Sequence, residues 1–143
     1  MRMKMESNSM TVTFESKSQN ESFARIVIAG FVAGLDPTLE ELADIKTAVS
    51  EAVTNSIIHG YGEEEGKIVM GCSIHNRDVD FWVEDFGTGI EDIEKAKEPL
   101  YTTKPEWERS GMGFSFMEAF MDELLVESTP GKGTRISMKK TIS

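Results

Sequence analysis

The stretch Glu51-Ala52-Val53-Thr54-Asn55-Ser56-Ile57-Ile58-His59-Gly60 decides how this chain is read. Glu51, Asn55 and His59 recur every four residues, so on a helix they stack along one face. Each residue turns a helix by about 100°, which puts Glu51 roughly 200° from Val49. The polar row therefore points away from Leu42, Val49, Val53 and Ile57, whose helical spacing marks a core stripe. A carboxylate can take a proton, and a carboxamide oxygen is a hard ligand suited to magnesium. The same row also reads as a solvated face ending in a histidine favoured by the helix dipole. Against that, Ser50, Ala52, Thr54 and Ser56 are small, and Glu51 is the one formally charged side chain from Ala48 to His59. A face so poor in charge suits one covered by a ligand or by protein.

Working outward, this helix is predicted over residues 38–59, closed by Gly60. Before it, Met10 to Glu15 alternates as a half-buried strand does. Ser18 and Glu21 have the spacing of a capping box. Phe23, Ile26, Val27 and Phe31 then follow at helical spacing, and Gly34 ends that helix. Asp36-Pro37 reads as the N-cap and first turn of the next helix. After Gly60, Ile68, Met70, Cys72 and Ile74 alternate, as do Val79, Phe81 and Val83. His75-Asn76-Arg77-Asp78 turns the chain between them, predicting a hairpin. Residues 87–108 form a long irregular segment rich in Gly, Thr, Pro and charge, the kind of loop that usually carries function. A helix over 112–121 and strands over 124–128 and 134–140 complete the order. This succession predicts an α/β sandwich with helices on one sheet face.

The 143 residues suit one domain, 1–143, and the hydrophobic fraction of 39% argues against disorder. The longest apolar run, Ile26 to Leu35, falls short of the about 20 residues a bilayer span needs. No signal peptide is read at the start, and Cys72 is the one cysteine, so a cytoplasmic location is expected. A net charge of −10 without a basic patch speaks against direct nucleic-acid binding. It also repels bare phosphates, so a bound nucleotide needs local devices: backbone N–H groups, a helix N-terminus or a metal ion.

Three glycine pairs offer such devices. Asp85-Phe86-Gly87-Thr88-Gly89 puts a carboxylate at a strand end, ahead of two glycines that admit a close backbone approach. Such an Asp can accept from an exocyclic amine of the kind adenine carries. Ser110-Gly111-Met112-Gly113 precedes a helix, where backbone N–H groups bind phosphate. Gly131-Lys132-Gly133-Thr134 falls between two strands. Each also has an ordinary reading: a strand-to-helix turn, a hinge, a hairpin turn. No P-loop spacing and no dinucleotide fingerprint is present.

The combination is more specific than its parts. Glu51-x-x-x-Asn55, Asp85-x-Gly87-x-Gly89, Gly111-x-Gly113 and Gly133-Thr134, in that order, resemble the GHKL superfamily of gyrase B, the MutL proteins and histidine kinases. Within it, residues 51–60 and Pro99-Leu100-Tyr101-Thr102-Thr103-Lys104-Pro105 resemble the anti-sigma serine kinases, over nearly the whole chain. The resemblance implies an α+β Bergerat fold, a two-layer sandwich with a mostly antiparallel mixed sheet. It implies that Asn55 coordinates magnesium (Mg2+) and that Glu51 is general base toward a serine hydroxyl. Asp85 would accept from the adenine amine, with Thr134 beside it through water, and Gly87 and Gly89 would shape the pocket floor. Ser110, Gly111, Met112 and Gly113 would hold the phosphates of ATP or ADP. Residues 91–109 would form a lid, with Thr103 and Lys104 as phosphate contacts. The implied partners are a sigma factor, an anti-anti-sigma factor phosphorylated on serine, and a second copy in a homodimer, with Arg25 as a partner contact. Arg109 stands where many of these kinases carry a further glycine. No helical hairpin with a phosphoacceptor histidine is read. The competing readings are an ATP-hydrolysing clamp, in which Glu51 would activate water, and a module that senses ATP without catalysis.

Overall fold

In the computed structural model the described residues are 7–90, 93, 97 and 113–143. Five strands form one sheet: β1 (Ser7–Glu15), β2 (Lys67–His75), β3 (Asp78–Asp85), β4 (Glu123–Thr129) and β5 (Gly133–Thr141). Their order is β1-β2-β3-β5-β4, so β5 lies between β3 and β4. The expected mostly antiparallel sheet is found, and among the described residues every neighbouring pair is antiparallel. Among the described residues three α-helices accompany it: α1 (Asn20–Val32), α2 (Leu39–Asn55) and α3 (Gly113–Phe120).

Alternation along the strands sets the two faces. On β3, Val79, Phe81, Val83 and Asp85 are buried while Asp80 is exposed. Register carries this across the sheet in rows: Met70, Val83, Ile136 and Val126 form one buried row. The helices cover these rows. Ala24, Ile28 and Val32 of α1, Ile45, Ala48, Val49, Ala52 and Val53 of α2, and Met117 of α3 join the same core. α2 lies between its neighbours, in contact with both α1 and α3. Val49 and Val53 are fully buried as the periodicity predicts, while Leu42 and Ile57 flank the core half-buried.

The helix ends depart from the sequence reading in informative ways. No capping box forms at Ser18; the N-cap is Gln19, without a side-chain bond. The Glu21 carboxylate instead accepts from the Ser50 hydroxyl on α2, a tertiary partner that outcompetes the local one. α1 does not stop at Gly34 but tightens into a 3-10 turn, Ala33–Leu35, closed by Asp36 at φ 52°. Asp36 therefore ends one helix rather than starting the next. The N-cap of α2 is Thr38, in a complete capping box: Thr38 Oγ1 accepts from Glu41 N at 3.1 Å and Glu41 Oε1 from Thr38 N at 2.9 Å. Glu41 Oε2 also accepts from Ser143 N. The amides of Ser143 and Thr38 hold this carboxyl down to about 2. At its other end α2 widens into a π-helical turn, Ser56–Tyr61, and Gly62 at φ 64° closes it instead of Gly60.

Thr38→Ala removes the cap oxygen and leaves an N–H at the helix start without its partner. The variant is expected to lose about 1 kcal/mol of stability, read as a lower urea midpoint at unchanged m-value.

Candidate nucleotide site

One inward row differs from the others. Phe14, Ile68, Asp85, Thr134 and Ser128 align across all five strands, so the apolar core gives way to polar groups where β3, β5 and β4 meet. Asp85 is only 2% exposed. Its Oδ1 accepts from Gly87 N at 3.0 Å, whereas its Oδ2 is buried with no hydrogen-bond partner among the described residues. Burial pushes the Asp85 carboxyl above its ordinary range, and the neighbouring Glu84 charge adds to this. The Gly87 amide, the Ser56 hydroxyl and the Thr134 amide pull the other way. Ser56 Oγ is itself buried with no hydrogen-bond partner within bonding distance and angle among the described residues. A buried acceptor left open is costly unless something donates to it. An exocyclic amine fits that need.

Backbone forms the walls of this recess. A methyl on Gly60 would lie 2.8 Å from Asp85 Cγ, and one on Gly87 would lie 2.0 Å from the Gly60 carbonyl oxygen. The turn after β3 thus rests directly on the π-helical turn after α2. Thr88 locks the two together: its N donates to Gly60 O at 2.9 Å and its Oγ1 to His59 O at 3.0 Å. Gly133 takes φ 122°, and a side chain there would strike Asp85 O at 2.1 Å. Tyr61 braces the outside, its hydroxyl accepting from Phe86 N at 2.9 Å and donating to Lys67 O at 2.5 Å.

The residues singled out in the sequence divide into three groups. Asp85, Gly87, Gly89 and Thr134 converge at this end of the sheet, and Asn55 ends α2 immediately before Ser56. Glu51 lies one helical turn before Asn55, and both are half-buried. Gly113 opens α3, which packs on α2. Arg25 is on α1, where its Nη2 donates to Ser22 Oγ at 3.4 Å, and it is not among the residues around Asp85. Thr103, Lys104, Ser110, Gly111 and Met112, like Arg109, lie outside the described residues. Sequence reading missed Ser56, Tyr61, Gly60 as a wall, and Ser128. Gly60 had a signal in the tight His59-Gly60-Tyr61-Gly62 run; Ser128 had none. A shallow cavity of about 310 Å³ borders this end of the sheet, lined by Glu84, Glu127, Lys132 and Arg135 and also by Asp85, Ser128, Gly133 and Thr134.

Residues 14–140 match the histidine kinase-like ATPase domain family. The chain is 60% identical over 139 residues to the anti-sigma F factor of Clostridium novyi (strain NT), covering 96% of this chain and 97% of that one. It belongs to the anti-sigma F factor family. A further member, from Thermoanaerobacter sp. (strain X514), is 62% identical over 135 residues, covering 94% of each chain. Among solved structures, the RsbU and RsbW domains of a Mycobacterium tuberculosis protein superpose with a TM-score of 0.69 at 20% identity, over 94% of this chain and 32% of that one. The histidine kinase domain of a blue-light-activated kinase from Erythrobacter litoralis gives 0.50 at 21% identity, over 72% of this chain and 45% of that one. These two likenesses establish the shared fold.

Asp85→Asn keeps the shape and removes the buried charge. A carboxyl raised above its unfolded value holds its proton more tightly when folded, so its stabilising contribution is greatest in acid and is lost as pH rises through the folded value. Thermal melts from neutral pH downward are expected to show the original protein gaining stability relative to Asp85→Asn. A pH-independent gap would contradict the burial of this charge.

Proposed function

We propose that this chain is one Mg-ATP-dependent protein kinase domain that also acts as an anti-sigma factor, capturing sigma-F and phosphorylating a serine of its anti-anti-sigma antagonist in the cytoplasm. The observation that carries this reading is the acceptor Asp85 Oδ2, buried against Gly60 with no hydrogen-bond partner among the described residues. The recess suits the amine edge of adenine. The names of the relatives support the sigma-factor partner.

In this reading Asp85 orients the base, and the amide oxygen of Asn55, the last residue of α2, would hold magnesium. Among the described residues no cluster of His, Cys, Asp or Glu is placed to bind a metal, so the ion would depend on Asn55 and on phosphate oxygens. Bound magnesium offsets the triphosphate charge, which matters in a protein of net charge −10. Glu51, one turn back on the same helix, takes the proton from the incoming serine hydroxyl as its oxygen attacks the γ-phosphorus in line. ADP leaves with the former bridging oxygen. Phosphates would rest on the amides of residues 110–113, and Thr103 and Lys104 would reach them from the segment proposed as a lid. Arg25 lies on α1 and, in this reading, would contact the protein partners. Two copies would assemble to hold one sigma subunit.

Glu51→Ala is expected to keep nucleotide affinity while serine phosphorylation of the antagonist falls about 100-fold or more. Asn55→Ala is expected to lose the magnesium-dependent part of ATP binding in calorimetry. Undiminished transfer by the first variant would remove Glu51 as base. Release of free phosphate without phosphoserine by the original protein would favour a hydrolysing clamp instead.

A further inference from the structure

Ser128, half-buried on β4, has one hydroxyl proton and two lone pairs. Three groups surround that oxygen: Ile90 N at 2.7 Å, Gly133 O at 3.0 Å and Thr134 Oγ1 at 2.8 Å. The Ile90 amide can only donate and the Gly133 carbonyl can only accept. Ser128 therefore spends its proton on Gly133 and one lone pair on Ile90. What remains for Thr134 is an acceptor, so the Thr134 hydroxyl must turn its own proton toward Ser128. The reverse arrangement would take the Ser128 proton away from the carbonyl of the buried Gly133.

This fixes what Thr134 offers on its other side. Thr134 is 4% exposed and is the register partner of Asp85 on the inward face. With its proton committed to Ser128, Thr134 Oγ1 presents lone pairs beside the open Asp85 Oδ2. We propose that Ser128 is a specificity-determining positioning residue. By holding the Thr134 proton it makes this recess a row of acceptors that selects a 6-amino purine over a 6-oxo purine. The inference rests on the ATP reading of the recess. A 6-amino group brings two N–H donors to such a row, directly or through water. A 6-oxo group brings only lone pairs and leaves the buried acceptors opposed. Without the Ser128 oxygen, the Thr134 hydroxyl is free to rotate and donate, so the discrimination relaxes.

The test compares magnesium-ATP with magnesium-ITP, whose bases carry the amino and the oxo group at that position. Calorimetry on the full chain is expected to show ATP preferred, and Ser128→Ala is expected to narrow the ATP-to-ITP ratio about tenfold. Ser128→Thr, which restores the hydroxyl, is expected to keep the original ratio. Thr134→Val removes the acceptor without touching Ser128 and serves as the second route; it is expected to narrow the ratio as well. A ratio unmoved in a folded Ser128→Ala protein, or in Thr134→Val should the first not fold, overturns the inference and leaves the ATP reading standing. If the original protein binds neither triphosphate, the ATP reading fails and takes this inference with it.

Discussion

The carboxylate of Asp85 is buried against main chain, with no side chain between it and Gly60. That contact constrains everything around it. A Cβ at position 60 would meet the carboxylate, one at 87 would meet the Gly60 carbonyl, and one at 133 would meet the Asp85 carbonyl. Three segments distant in sequence are thereby held in close contact that only glycine at positions 60, 87 and 133 permits. The result is a tightly packed strand end whose polar groups are fixed by the scaffold.

Both ends of α2 serve this geometry. Thr38 and Glu41 close its first turn, and Glu41 also holds Ser143, so the helix start is tied to the chain after β5. Its last residues widen into a π-helical turn, a feature that often marks functional sites. The widening carries Ser56 inward and Gly60 onto Asp85, while Asn55 and Glu51 stay on the last regular turns. α3 packs on the same helix, and Lys140 Nζ donates to Phe120 O at its end while pairing with Asp44 of α2 at 3.5 Å. The strand end at Asp85, α2 and α3 are thus fastened to one another rather than merely adjacent.

The electrostatics follow from the same burial. The chain is strongly acidic, and among the described residues Asp85 is its one deeply buried carboxylate; the amides of Gly87 and Thr134 and the Ser56 hydroxyl only partly offset the cost. Such a group is more costly than an apolar one for folding, and useful only if a ligand donates to it. The polar row Asp85, Thr134, Ser128 is set into a sheet whose other inward rows are predominantly apolar, which is what the proposed recognition of a base rests on.

Periodicity sufficed for the five strands, the core faces of α2 and the sandwich class, because alternation and helical spacing report directly which face is apolar. The polar row Glu51-Asn55 and the pair Gly87-Gly89 were legible for the same reason: their spacing is local. The helix caps were not. Ser18 and Glu21 have capping-box spacing, yet Glu21 bonds Ser50, 29 residues away, because a partner supplied by packing wins over one supplied by sequence neighbourhood. Gly60 read as a helix stop and proved to be a wall of the site, since only the fold brings β3 against the turn after α2. Ser128 carried no local pattern at all. Its role depends on three groups from β5 and from the turn after β3, and hydrogen bonds between distant segments leave no period in the chain that forms them.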